Sequence, residues 1–170
     1  MGQRRTEFGT LANIIFRERS RIIAEHEGLE VFAIERAKFE GWVKAELVRI
    51  LRKYFKSIVP EEECIDIVAD EWAIEIKTIN TNYTCPLVKK KHRPITKNVE
   101  GILKDIEKLR NNTRYKNKVV FFIVFPLPEN AMDTWQEKHL SKIQDNLRRL
   151  LPYRFRFKNN VPGIMYLGQG

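Results

Sequence analysis

An α/β layered domain, with a mixed central sheet flanked by helices, is predicted by three observations on this sequence of 170 residues. Apolar residues recur at helical spacing early, then give way to β-branched runs, a helix, a strand, a further helix and closing strands, the alternation expected of helices layered on a sheet. Val119 to Phe125 is an unbroken apolar run that suits a strand covered on both faces, and its position predicts a central strand. With 43% hydrophobic and 31% charged residues, the chain can bury a core and is neither disordered nor fibrous. One domain over residues 1–170 is expected, without linker, repeat or low-complexity tract.

Leu11, Ile14, Ile15, Ile22 and Ile23 predict a first amphipathic helix over residues 8–27, carrying Arg17, Arg19 and Arg21 and ended by Gly28. A second helix, over 30–55, sets Phe39, Trp42, Val43, Leu47, Ile50, Leu51 and Tyr54 on one broad face. On that wheel Glu46 falls within the apolar arc and Glu40 nearer its edge. Ser57 to Pro60 reads as a short strand. Cys64 to Val68 and Trp72 to Ile79 then read as a hairpin turning at Ala69-Asp70-Glu71. A helix over 96–111 buries Val99, Ile102, Leu103, Ile106 and Leu109. A last helix, over 131–151, is followed by two short edge strands, Tyr153 to Lys158 and Gly163 to Leu167.

The net charge of +9 is unevenly spread. Residues 86–118 carry eleven basic side chains against three acids, whereas residues 24–75 carry thirteen acids against seven bases. An excess of this kind serves solubility or attraction to a polyanion. The run Lys89-Lys90-Lys91-His92-Arg93, with Lys97 just beyond, therefore has two readings: a solvated loop, or a patch that contacts phosphates and gains affinity from released counterions.

Chemistry concentrates between Ile65 and Lys77. Strand alternation places Ala73, Glu75, Lys77 and Ile79 on one face, and Asp66 on the neighbouring strand can approach Glu75 across the ladder. Two carboxylates so close repel, and a sheet interior solvates them poorly. A Mg²⁺ ion, which prefers oxygen ligands and is often held by one or two carboxylates, relieves that cost, with the Ile76 carbonyl as a further ligand. Lys77 beside it can orient water or stabilise charge on a phosphate. A structural ion pair between Lys77 and a cross-strand acid is the simpler alternative, since an acid-any-Lys triplet is expected about twice by chance in this composition.

Asp66, then Glu75-Ile76-Lys77 after eight intervening residues, behind a helix carrying an inward Glu46, resembles the pattern of the PD-(D/E)XK nuclease superfamily. The resemblance implies a restriction-endonuclease-like core of order αβββαβ over residues 30–126. It makes the first 28 residues a helical extension and the C-terminal helix and strands additions. It further implies Asp66 and Glu75 as ligands of Mg²⁺, or of Mn²⁺ as a substitute. Lys77 becomes the catalytic lysine and Glu46 an auxiliary acid, Glu40 being the other candidate on that helix. Ile65 stands where the motif has proline. The implied activity is hydrolysis of phosphodiester bonds, in DNA before RNA. A catalytically silent nucleic-acid-binding module, or a subunit of a larger complex, is the alternative.

Cys64 and Cys85 match no disulfide framework or paired metal ligands and read as reduced thiols. The longest apolar run is far shorter than the roughly 20 residues of a membrane-spanning helix, so no membrane partner and a cytoplasmic location are expected. A first helix with both apolar and basic residues outside the core predicts packing against a second copy, as a homodimer.

Overall fold

In a computed structural model, which describes residues 6–170 except for the side chains of Arg19 and Ser20, one mixed six-stranded sheet lies between two helical layers. The basic start at residues 1–5 and the side chain of Arg19 lie outside the described residues. The elements are α1 (Phe8–Glu25), α2 (Glu27–Glu35), α3 (Glu40–Leu51), β1 (Ile58–Glu62), β2 (Ile65–Ala69), β3 (Trp72–Asn80), α4 (Ile95–Asn111) and β4 (Asn117–Phe125). A helical stretch follows, made of α5 (Met132–Trp135), a π turn over Gln136–Leu140 and α6 (Ser141–Gln144), and then β5 (Arg149–Arg156) and β6 (Pro162–Gln169). Strand order is β1-β2-β3-β4-β6-β5. β3 and β4 are parallel, joined by α4 as their crossover, and the other pairs are antiparallel.

Period-two alternation decides which layer each strand residue meets. Ile67, Ala69, Trp72, Ile74, Ile76, Phe121 and Ile123 pack towards α1, α2 and α3. Ile79, Val120, Phe122 and Val124 pack towards α4 and the 131–143 stretch. β4 is buried from Val119 to Phe125, as its continuous apolar run predicts. No helix among the described residues is long and apolar enough to cross a membrane.

Four expectations are corrected. The helix expected over 30–55 is broken: Arg36 takes the left-handed backbone conformation (φ 52°) and ends α2, and α3 starts afresh at Glu40. The cause is tertiary. The Arg36 guanidinium, 2% exposed, donates to the carbonyls of Thr81, Tyr83 and Lys89, bonds that a continuous helix could not offer. The last helix stops at Gln144, and residues 149–151 are already β5. β6 is no edge strand, for it runs between β4 and β5. Finally, α1 belongs to the core: Phe8, Leu11, Ala12, Ile15, Phe16 and Ile23 are buried in the same cluster as the sheet, against β5, β6 and α3. Its apolar face is therefore spent inside this chain, which removes the basis for expecting a homodimer.

Candidate active site

The site forms where the β2–β3 ladder ends early. Backbone pairing stops at Ile67↔Ile74, one step short of the register position that would set Asp66 opposite Glu75. Beyond that point side chains take over the main-chain donors of β3. Asp66 Oδ2 accepts from the Ile76 N–H at 2.8 Å, and Glu40 Oε1 accepts from the Thr78 N–H at 2.8 Å and from Thr78 Oγ1 at 3.3 Å. On an extended strand a residue's N–H and C=O leave by the same edge. The Ile76 carbonyl thus points into the gap that β2 has vacated.

Each carboxylate has a lysine. Lys44 Nζ lies 2.8 Å from Asp66 Oδ1 and also reaches Glu61 at 3.0 Å. Lys77 Nζ lies 3.4 Å from Asp105 Oδ2. Lys108 Nζ lies 2.5 Å from Glu75 Oε1 and 3.8 Å from Asp105 Oδ1. Lys108 also donates to the Cys64 carbonyl at 2.8 Å, in the two-residue β1–β2 turn where Glu63 and Cys64 both have positive φ. The compensation is incomplete. Glu75 is 2% exposed, and Lys108 approaches Oε1 outside hydrogen-bonding geometry, so that this oxygen has a charged neighbour but no aligned donor. Asp105 Oδ2 is likewise buried without a hydrogen bond.

Titration behaviour follows from this arrangement. Burial, and then Asp66, push Glu75 up to about 8 against the opposing pull of Lys108. Burial also raises Asp66, but Lys44, the Ile76 N–H and a proton held on Glu75 together bring it below the usual carboxylate range. The pair shares one proton at neutral pH. Burial raises Asp105 against the pull of Lys77 and Lys108. Burial lowers Lys77, but Asp105, Glu40 and Asp66 outweigh it and hold the ammonium above its ordinary value.

No family model, curated protein or solved structure matches this chain.

The donor chemistry fits a hard divalent cation, because the Asp66–Glu75 pair holds a buried carboxylate oxygen without an aligned donor and the Ile76 carbonyl lies on the opened edge of β3. Among the described residues no group of three or more His, Cys, Asp or Glu side chains gathers to hold a metal. The protein would therefore contribute Asp66, Glu75 and the Ile76 carbonyl, leaving the remaining positions to water and phosphate oxygens, the usual habit of Mg²⁺.

Asp66, Glu75, Ile76 and Lys77 thus come together. Glu46 does not join them: it accepts from Arg49 Nε and Nη2 at 3.0 Å on the flank of α3, and Glu40 is the helix carboxylate that reaches β3. The wheel misleads because Trp42 is only half-buried and Tyr54 lies beyond the helix end, exposed. Without Trp42, the buried arc of Val43, Leu47, Ile50 and Leu51 turns towards Glu40. Sequence reasoning also missed Lys44, Asp105 and Lys108. Asp105, flanking the apolar stripe of α4 between Ile102 and Leu109, left the only readable signal. In the basic run, Lys89 and Lys91 both pair with Glu35, whereas Arg93 is anchored to the carbonyls of Arg36 and Glu35. Lys90 and Lys97 are exposed.

Proposed function

We propose that this protein is a Mg²⁺-dependent nuclease of the PD-(D/E)XK type that hydrolyses phosphodiester bonds in nucleic acid, with DNA favoured over RNA. The observation that carries the reading is the Asp66–Glu75 pair at an opened ladder, with the Ile76 carbonyl in the gap and Lys77 next on the same face. The run α3, β1, β2, β3, α4, β4 agrees with the αβββαβ order of a restriction-endonuclease-like core.

A bound divalent cation would supply positive charge to the phosphate and make a bound water more acidic. The chain's own groups do the rest. Lys44 and the Ile76 N–H fix both oxygens of Asp66, so that its orientation is set before any ligand arrives. Lys77, steadied by Asp105 at 3.4 Å, keeps its proton and presents an ammonium to charge developing on the phosphate or to the attacking water. Glu40 holds the Thr78 N–H, fixing β3 just beyond Lys77. Glu75 must lose its proton for its carboxylate to serve as a ligand, so metal binding should release a proton.

One observation favours the silent binding module instead: the Lys108 ammonium already sits 2.5 Å from Glu75, where it competes with a metal. Cleavage of supercoiled, linear and branched DNA, by wild type and Glu75→Ala in Mg²⁺ or EDTA, separates the two. Metal-dependent cleavage lost in the variant is expected. Salt-sensitive binding by both proteins without cleavage would replace the nuclease with the module.

A further inference from the structure

Three ammoniums stand at the carboxylate cluster, and they are not held alike. Lys44 reaches two carboxylates, at 2.8 and 3.0 Å, and its side chain is 21% exposed. Lys77 faces Asp105 at 3.4 Å and is 32% exposed. Lys108, at 42%, is the most open to water of the three, and its 2.5 Å approach to Glu75 Oε1 leaves that buried oxygen without an aligned donor. Charge draws Lys108 to Glu75, but no hydrogen bond fastens it there. A lysine reaches such a position on a flexible four-carbon stem whose ammonium turns freely, so the contact is easily given up.

The ammonium also has somewhere to rest. Lys108 Nζ donates to the Cys64 carbonyl at 2.8 Å, and Asp105 Oδ1, one helical turn back, lies at 3.8 Å. The Cys64 carbonyl belongs to a turn that is pinned independently of Glu75. Lys44 donates to Glu61, Tyr115 Oη donates to Glu62 at 3.1 Å, and Arg114 pairs with Glu63. Glu61, Glu63 and Cys64 all take left-handed backbone conformations there, which persist where surrounding contacts over-determine them. One partner of Lys108 is therefore a proposed metal ligand, and the other two are not.

We propose that Lys108 is the resident counter-cation of the site: it covers the Glu75 carboxylate while no metal is bound, and a divalent cation displaces it onto the Cys64 carbonyl. The inference rests on the proposed reading of Glu75 as a metal ligand. An ammonium and a divalent cation on one carboxylate oxygen repel each other, and the doubly charged, oxygen-seeking ion has the stronger pull. The contact that counts against catalysis in the resting protein becomes a closure of the empty site, supplying positive charge to the Asp66–Glu75 pair until a metal does. The consequence is a lowered apparent affinity, since a carboxylate covered about nine-tenths of the time binds metal about tenfold more weakly.

The test is a titration with Mn²⁺ alone, without nucleic acid, in which free Mn²⁺ is counted by its electron paramagnetic resonance signal. Lys108→Met, which keeps the stem and removes the charge, should bind at least about tenfold more tightly than wild type. Lys108→Gln, which also keeps a donor for the Cys64 carbonyl, should do the same. Lys108→Arg should gain nothing, and neither should Lys104→Met, which removes a charge from the same helix at an exposed position. Equal affinity in wild type and both neutral variants, or the same gain in Lys104→Met, overturns the proposal. Binding that ignores Lys108, together with Mn²⁺-dependent cleavage of DNA, removes the counter-cation and leaves the nuclease. Tighter binding by the neutral variants with no cleavage by any protein removes the nuclease and leaves the counter-cation. No Mn²⁺ binding by any of these proteins overturns both.

Discussion

Two glutamates of this protein each meet lysines, and they end at opposite extremes. Glu35, at the end of α2, takes Lys89 and Lys91 together at the surface, and these hydrogen bonds pull its carboxyl down to about 2. Glu75, inside the sheet, has Lys108 beside it and is still pushed up to about 8, because burial and the adjacent Asp66 outweigh one ammonium. The surface group is saturated by its partners, and the buried one is not. An ion cluster that closes on itself has nothing left to offer a ligand. One left short of positive charge is where chemistry can be placed.

Removing the deficit gives the largest expected effect. Glu75→Ala should lower Mg²⁺-dependent cleavage at least about 100-fold, read as initial rates on supercoiled DNA, since a metal ligand is lost. Next, Lys77→Ala should reduce kcat by about 10² to 10⁴ with little change in KM, because the ammonium is needed for the chemical step and not for holding the strand. An unchanged kcat with lowered stability would leave the ion pair with Asp105 as the whole role of Lys77.

The same buried glutamate should cost the metal-free protein stability as pH rises. Its folded pKa lies above its unfolded one, so the protonated form favours folding below about pH 4.5, and that contribution is lost as pH rises towards about 8. Glu75→Gln, which cannot ionise, should therefore exceed wild type by about 1–3 kcal/mol at pH 8.5 and converge with it near pH 4.5, measured by denaturant unfolding in EDTA. Activity lost while stability is gained is the signature of a strained ligand position.

Glu40→Gln and Glu46→Gln sharpen the assignment of the helix carboxylate. The first should slow cleavage by about tenfold, and the second should change it less than about twofold, since Glu46 answers to Arg49. The smallest effect belongs to the surface comparison. Glu35→Gln releases Lys89 and Lys91 and should steepen the salt dependence of DNA binding by about one unit of log–log slope. An unchanged slope would mean that those lysines lie off the path of the strand.

Much of the site is legible in the sequence because strand alternation is a strict rule. Once Asp66 and Glu75 lie on adjacent strands with a short turn between, period two and register bring them to one face, and Lys77 must follow. Helical positions are less binding. The side of α3 that faces the sheet depends on where α3 begins, and this is decided by Arg36 reaching carbonyls some fifty residues later. No local pattern reports that contact, and so the sequence points to Glu46 rather than Glu40. Asp105, Lys108 and Lys44 are surface-type residues by composition. They become site residues only because α4 lies over β3 and α3 beside β2. The place of α1 is hidden for a related reason: an amphipathic helix announces a face to be covered, but not whether the cover comes from its own sheet.

The buried Arg36 has a consequence for enzymology. Residues 81–93 contain no helix or strand, yet their course is fixed by three carbonyls gripped by one guanidinium and by Asn80 Nδ2 donating back to the Arg36 carbonyl. Burial lowers the pKa of that guanidinium, but from so high a start that it stays protonated across any workable pH. The course of residues 81–93 is therefore indifferent to acidity, while Glu75 is not. A rate profile taken between pH 5 and 9 would record proton traffic at the carboxylates themselves, uncontaminated by collapse of the loop that frames them.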